Sequence, residues 1–188
     1  MSYSVKKEEA EGLKTAYYQF NTKNTFFKKT QKYDCAQYVC DHMDMEELLH
    51  HTTWIIPDTN RIYVDYTMLK TYANPSNFDK IVNKFLMLAL DCSNSFVEFE
   101  VHMNMETFTV SAVERYKYII TMIVEECFSK QTRYTQQIKA FHLYNIPTVI
   151  DQIRPLILPL LEPGMREKFV LHSKSESPEL LKRLHQPE

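Results

Sequence analysis

The chain has 188 residues, enough to bury a sizeable core within one domain. Hydrophobic residues at 44% and aromatics at 13% exclude a disordered polymer. A formal charge of −2 supplies no global attraction to nucleic acid or to an anionic membrane. The two glycines, Gly12 and Gly164, cannot build a Gly-rich phosphate loop, which argues against a nucleotide-binding enzyme.

Residues 1–30 are polar and Lys-rich, with Tyr17, Tyr18, Phe20, Phe26 and Phe27 interleaved. The Glu, Ala, Leu and Lys content predicts a helix over residues 5–20. We read residues 1–50 as an N-terminal helical segment laid on the domain, the alternative being an arm that docks on a protein partner through residues 1–30. Residues 51–188 form the main domain in this reading. The start of the chain, MSYSVKKEEAEGLK, lacks the apolar core of a signal peptide. The longest apolar run, Phe85–Leu90, is far too short to span a bilayer.

Asp44 is placed to cap a short helix, with Glu46 and Glu47 in its first turn. Cys35, Cys40, His50 and His51 do not have zinc-finger or zinc-ribbon spacing, and adjacent histidines on a helix diverge. No metal is therefore expected. Cys92 closes one predicted helix and Cys127 lies on the apolar face of another. The four cysteines are read as reduced core thiols of an intracellular protein, cytoplasmic or organellar and not secreted.

Trp54–Ile56 reads as a strand, and Arg61–Leu69 alternates as a longer one. Asn74-Pro75-Ser76 breaks the chain before a helix that runs to about Cys92. Phe96–Met103 places Phe99, Val101 and Met103 on one face and Glu98, Glu100 and His102 on the other. The paired acids lack an accompanying nucleophile or metal set and are read as a half-exposed face. Thr109–Ser129 is the next helix and Ile138–Tyr144 the next strand. Asn145-Ile146-Pro147 is a turn, and Thr148–Leu161 is helical and apolar over more than half its circumference. A helix on one face of a sheet needs only an apolar stripe, so this one is buried all round or faces something apolar that is not protein. Pro155 removes a backbone donor, which predicts a kink near Gln152–Arg154. Glu162-Pro163-Gly164 ends the helix, Lys168–His172 is the last strand, and Ser177–Leu184 a closing helix. Strands alternating with helices imply a mostly parallel mixed sheet with right-handed crossovers.

Three features carry a resemblance. They are Asn145-Ile146-Pro147 ending a strand, Pro159-Leu160-Leu161 ending the apolar helix, and Arg166–Leu171 as a basic turn into a strand. With Phe96–Thr109 and Arg61–Pro75 upstream, they resemble the CRAL-TRIO lipid-binding domain of cellular retinaldehyde-binding protein and of phosphatidylinositol transfer proteins. The resemblance implies an α/β fold: a mixed, mostly parallel sheet of about five strands covered by helices, with a short helical N-terminal segment. It implies a non-catalytic module that holds a lipid or other small hydrophobic ligand in an apolar pocket under a gate helix. The pocket candidates are Phe99, Val101, Phe141, Ile150, Ile153, Ile157 and Leu161. Lys168 is the headgroup candidate, and Pro147, Pro155 and Pro159 mark the gate helix. No cofactor is implied beyond a bound phospholipid or other lipid, and peripheral membrane contact fits the family.

The sequence departs from the family pattern where phosphatidylinositol-binding members carry Pro-Glu-Arg, since Thr135, Gln136 and Gln137 stand there. It also stops at Pro187-Glu188, before the family's usual Leu-Pro-x-x-Tyr-Gly-Gly segment. The alternative reading is a structural or accessory subunit of a larger assembly that keeps the fold and has lost lipid exchange. An enzyme is not expected: Ser111, Ser129 and Ser173 lie in no nucleophile motif, and His102, His142 and His172 fall on predicted strands.

Overall fold

The computed structural model describes residues 3–24, 26–126, 136–147, 150–160 and 163–184. The chain begins with three helices, α1 (Tyr3–Phe20), α2 (Lys28–His42) and α3 (Met45–His50). Asp44 caps α3, its Oδ1 accepting from the Glu47 N–H at 3.0 Å, as its position in the sequence suggests. A hairpin follows, β1 (Thr53–Ile55) and β2 (Arg61–Asp65), closed by Asp58 in the left-handed region at φ 59°.

The alternating run predicted as one strand from Arg61 to Leu69 is corrected here. β2 stops at Asp65, and a helix, α4 (Tyr66–Tyr72), takes over. The cause is local. Asp65 Oδ1 accepts from both the backbone N–H and the hydroxyl of Thr67 at 2.6 Å each, an N-cap that turns the chain out of the extended conformation. The expected break then appears as a hydrogen-bonded turn. The Asn74 N–H donates to Asn77 Oδ1 at 3.0 Å, and Asn77 Nδ2 donates to the Tyr72 carbonyl at 3.0 Å.

α5 (Phe78–Ser95), β3 (Phe99–Asn104), α6 (Val110–Val124) and β4 (Ile138–Tyr144) come next. They are followed by α7 (Ile150–Ile157), which runs into a 3-10 turn at Leu158–Leu160. A one-turn α8 (Pro163–Arg166), β5 (Phe169–Leu171) and α9 (Ser177–Leu184) complete the chain. The five strands form one sheet in the order β1-β2-β3-β4-β5. β1 pairs antiparallel with β2, and the other three pairs are parallel. Every crossover advances one strand in the same direction, so right-handed connections put α5, α6 and α7 on one face.

The alternation in β3 and β4 divides the side chains between the two faces. Phe99, Val101, Phe141 and Ile138 join Phe85, Ala89 and Cys92 of α5 in one core cluster. A second, larger cluster joins Tyr72, Met68 and Val82 to Ala10 of α1, Val39 of α2 and Leu48 of α3. On the opposite face, α9 lays Leu184 against Tyr63, Tyr144 and Ile56. The thiols of Cys35, Cys40 and Cys92 are free; Cys127 lies outside the described residues. Burial pushes the Cys92 thiol up to about 11. Among the described residues no helix is long and apolar enough to cross a membrane.

Candidate functional site

Between the sheet and the helices lies a cavity of about 180 Å³. Its floor is Val64, Val101, Met103, Phe141 and Leu143 of the sheet, and its roof includes Phe85 of α5 and Tyr116, Ile120 and Ile123 of α6. Apart from Thr53 and the tyrosines Tyr66 and Tyr116, every lining residue is apolar. Burial holds both tyrosine hydroxyls above their ordinary range, so they stay neutral.

The residues expected at a pocket divide into three groups. Val101 and Phe141 line the cavity. Phe99 is fully buried beside it, in the core, and Ile150 packs against the larger cluster that includes Met105 and Ile119. Ile153 and Ile157 are backbone members of α7, and Leu161 lies outside the described residues. Ile120 and Ile123 line the cavity as well, as does Met103, which shares the apolar strand face of Phe99 and Val101.

α7 keeps an α-helical backbone through Pro155, and the change to 3-10 geometry comes after Ile157. Pro155 deprives the Asp151 carbonyl of its helical partner, but Asp151 is exposed, so water serves it at little cost. Pro159 then sits where the helix has already tightened. Pro147 is buried, and its carbonyl accepts from the Ile150 N–H at 3.0 Å. Asn145 takes φ 55°; its N–H donates to Ser177 Oγ at 2.7 Å and its side-chain amide to Asn104 Oδ1 at 2.8 Å. The Asn-x-Pro turn is thereby tied to both β3 and α9. Lys168 is half-buried and donates to the Ile138 carbonyl at 2.6 Å.

The other face of the sheet brings together residues that the sequence scattered. His102 of β3 and His142 of β4 stand opposite each other in register, with ring centroids 4.6 Å apart and planes 2° from parallel. His172 continues the row, 5.3 Å from His142. His102 Nδ1 lies 2.9 Å from Tyr144 Oη, His102 Nε2 lies 3.3 Å from Glu100 Oε2, and His142 Nδ1 lies 3.0 Å from His172 Nε2. Burial holds His142 below the ordinary imidazole value. Glu100, His102 and His142 each bring a ligand atom within 4.8 Å of the others. Yet a metal ion lies in the plane of each imidazole that binds it, and two parallel, stacked planes do not share such a point. Arg61 and Lys139 also stand 3.7 Å from the same carboxylate. His102 uses both ring nitrogens in hydrogen bonds, to Tyr144 and to Glu100, and His142 uses Nδ1 on His172. Glu98 is exposed and pairs with Lys139 at 3.0 Å, and only Glu100 turns toward the histidines.

The chain matches the CRAL/TRIO domain over residues 58–188. In fold it is similar to the crystal structure of Sfh5, with 15% sequence identity and a TM-score of 0.50. That match covers 84% of this chain and 63% of the other, so the chain spans less than two thirds of that protein's length. No curated protein matches it in sequence.

Proposed function

Because this chain belongs to the CRAL/TRIO domain family, a family of lipid-binding modules, we propose that it is non-catalytic and holds one lipid or other small hydrophobic ligand between the sheet and helices α5 and α6. In this proposal α7 is the movable cover. The observation that carries it is the cavity walled by Val101, Met103, Phe141 and Ile120 with almost no polar surface. An apolar hollow of this kind stays dry and gains by admitting apolar groups.

At about 180 Å³ the cavity is smaller than the ~300–1,000 Å³ pockets that enclose drug-sized ligands, so the ligand enters as the cover moves. Phe99 and Ile150 border the enlarged space in this proposal, together with Ile153, Ile157 and Leu161 of the cover segment. Phosphatidylinositol is a poor fit. Of the residues standing where phosphatidylinositol binders carry Pro-Glu-Arg, Gln137 is bonded to Ser93, and Thr135 lies outside the described residues. Lys168 offers a point charge rather than a planar fork, and it is already donating to Ile138.

Native mass spectrometry of the purified chain, followed by lipid extraction, tests the reading. One extractable hydrophobic molecule per chain is expected, together with slower amide exchange across residues 150–160 when that molecule is added back. Labelled phosphatidylinositol is expected not to transfer. A second reading is favoured by the small volume of the cavity: a subunit that keeps the fold, fills its pocket with its own side chains and acts through its surfaces in an assembly. No extractable molecule, and no exchange response to any lipid, selects that reading instead.

A further inference from the structure

The net charge of the chain is small, but six of its 22 lysines and arginines line one groove. A groove of about 590 Å³ opens between α1, α2, α4 and the loop that leads into α6. Lys14, Lys23, Lys28, Lys32, Lys70 and Arg115 line it, and no Asp or Glu does. Glu11, paired with Lys14 at 2.8 Å, and Glu106 both act on Lys70 through their charge. Partial desolvation holds Lys32 and Lys70 below the ordinary lysine range, and neighbouring cations, Arg115 for Lys32 and Lys14 for Lys70, push the same way. A bound polyanion reverses that repulsion.

The groove sits at the carboxyl ends of β2 and β3, where open α/β sheets place ligands. Lys70 follows β2, and Thr107 and Thr109 follow β3. The headgroup positions implied by the family resemblance, Gln136, Gln137 and Lys168, precede β4 and β5 and so lie at the other end of the strands.

Three phenylalanines adjoining the groove residues in the chain are largely exposed: Phe20 by 85%, Phe26 by 92% and Phe27 by 69%. The turn that presents Phe26 and Phe27 is tied down. Asn24 Oδ1 accepts from the N–H groups of both at 2.8 Å. Gln31 Oε1 accepts from the Asn24 N–H at 2.7 Å, and Gln31 Nε2 donates to the Thr22 carbonyl at 2.7 Å. Asn24 and Gln31 also wall the groove, so the side chains that shape the cationic site hold the aromatic rings outward.

We propose that this face docks on a membrane carrying multiply phosphorylated lipid headgroups, the groove taking the phosphates while the phenylalanines enter the interface. Ammonium groups are drawn to an anionic bilayer surface, and exposed aromatic rings settle at headgroup level. The inference stands on the N-terminal helices and is independent of whether the cavity holds a ligand.

The test uses the full chain with phosphatidylcholine vesicles, with and without phosphatidylinositol bisphosphate, and soluble inositol trisphosphate by calorimetry. Vesicle binding is expected only with the phosphorylated lipid. Lys28→Gln/Lys32→Gln is expected to weaken vesicle and soluble headgroup binding by about thirtyfold, since each lysine near an anionic surface contributes about fivefold. Phe26→Ala/Phe27→Ala is expected to weaken vesicle binding by about tenfold and leave the soluble headgroup unaffected. All four side chains are exposed, so the fold is kept, and a matched Tm confirms it. Lys80→Gln/Lys174→Gln, the same charge change at exposed positions outside the groove, serves as the control. Equal loss in that control overturns the proposal, because bulk charge then explains the binding. So does soluble headgroup binding without vesicle binding, which marks a site for a free anion, and so does the absence of both, which leaves the surface to a protein partner.

Discussion

A single carboxylate decides where the second strand ends. Asp65 is almost completely buried and holds two donors of Thr67, with Lys7 of α1 3.9 Å away. Replacing Asp65 with Ala removes an N-cap and leaves a buried N–H and a buried hydroxyl without this acceptor, at a cost of about 2–3 kcal/mol. Asp65→Asn keeps the accepting oxygen and is expected to recover most of that loss. Denaturant unfolding of the two variants checks it, and an Ala variant within about 0.5 kcal/mol of the parent contradicts the assignment. The cap was missed in the sequence because Arg61–Leu69 alternates well enough to pass for a strand throughout, and period 2 over so short a run does not register the change. The row of His102, His142 and His172 was illegible for another reason. Each histidine was correctly placed on or at the end of a strand, but only the pairing register brings them together, and register is not written in the spacing.

The elements themselves were largely legible, because the sheet face that meets α5 and α6 is apolar at every second position and those helices are apolar at helical spacing. Boundaries moved where a cap or a tightened turn intervened. α7 is the informative case. Pro155 was expected to kink it near Gln152–Arg154; the backbone is helical to Ile157, and the carbonyl that loses its partner belongs to the exposed Asp151. Pro155→Ala restores a donor at that point and removes the ring clash, stabilising the helix locally by about 1–3 kcal/mol. Amide exchange in residues 150–157 is therefore expected to slow by about tenfold or more. If α7 is the cover of the cavity, uptake of an apolar fluorescent ligand slows in parallel. Slower exchange with unchanged uptake separates the helix from the route of entry and points to a different opening.

At the scale of the molecule, the N-terminal helices and the sheet share one interior. Ala10, Val39 and Leu48 are fully buried, and Leu49 nearly so, in the same cluster as Tyr72, Val82 and Ile119. Tyr72 donates to Thr52 Oγ1 at 3.0 Å, and Thr52 in turn donates to the Leu48 carbonyl at 2.8 Å. Tyr33 of α2 donates to the Arg115 carbonyl of α6 at 2.8 Å. The sequence presents residues 1–30 as polar and Lys-rich, which is why an arm remained a reading; Ala10, Val39, Leu48 and Leu49 turn inward, while Phe20, Phe26 and Phe27 stay outside. Removing residues 1–50 strips the cover from α4 and the start of α5. Burying a Val or Leu side chain contributes about 1.5–3 kcal/mol, so Val39, Leu48 and Leu49 together amount to a large part of the ~5–15 kcal/mol that holds a domain folded. A chain beginning at residue 51 is thus expected to lose its cooperative thermal transition and to bind a dye that reports exposed apolar surface. The same chain with residues 1–50 supplied as a separate peptide is expected to regain part of the transition. A residue 51–188 fragment that melts cooperatively within a few degrees of the full chain would mean that the sheet and its three crossover helices suffice, and that α1, α2 and α3 are an appended surface.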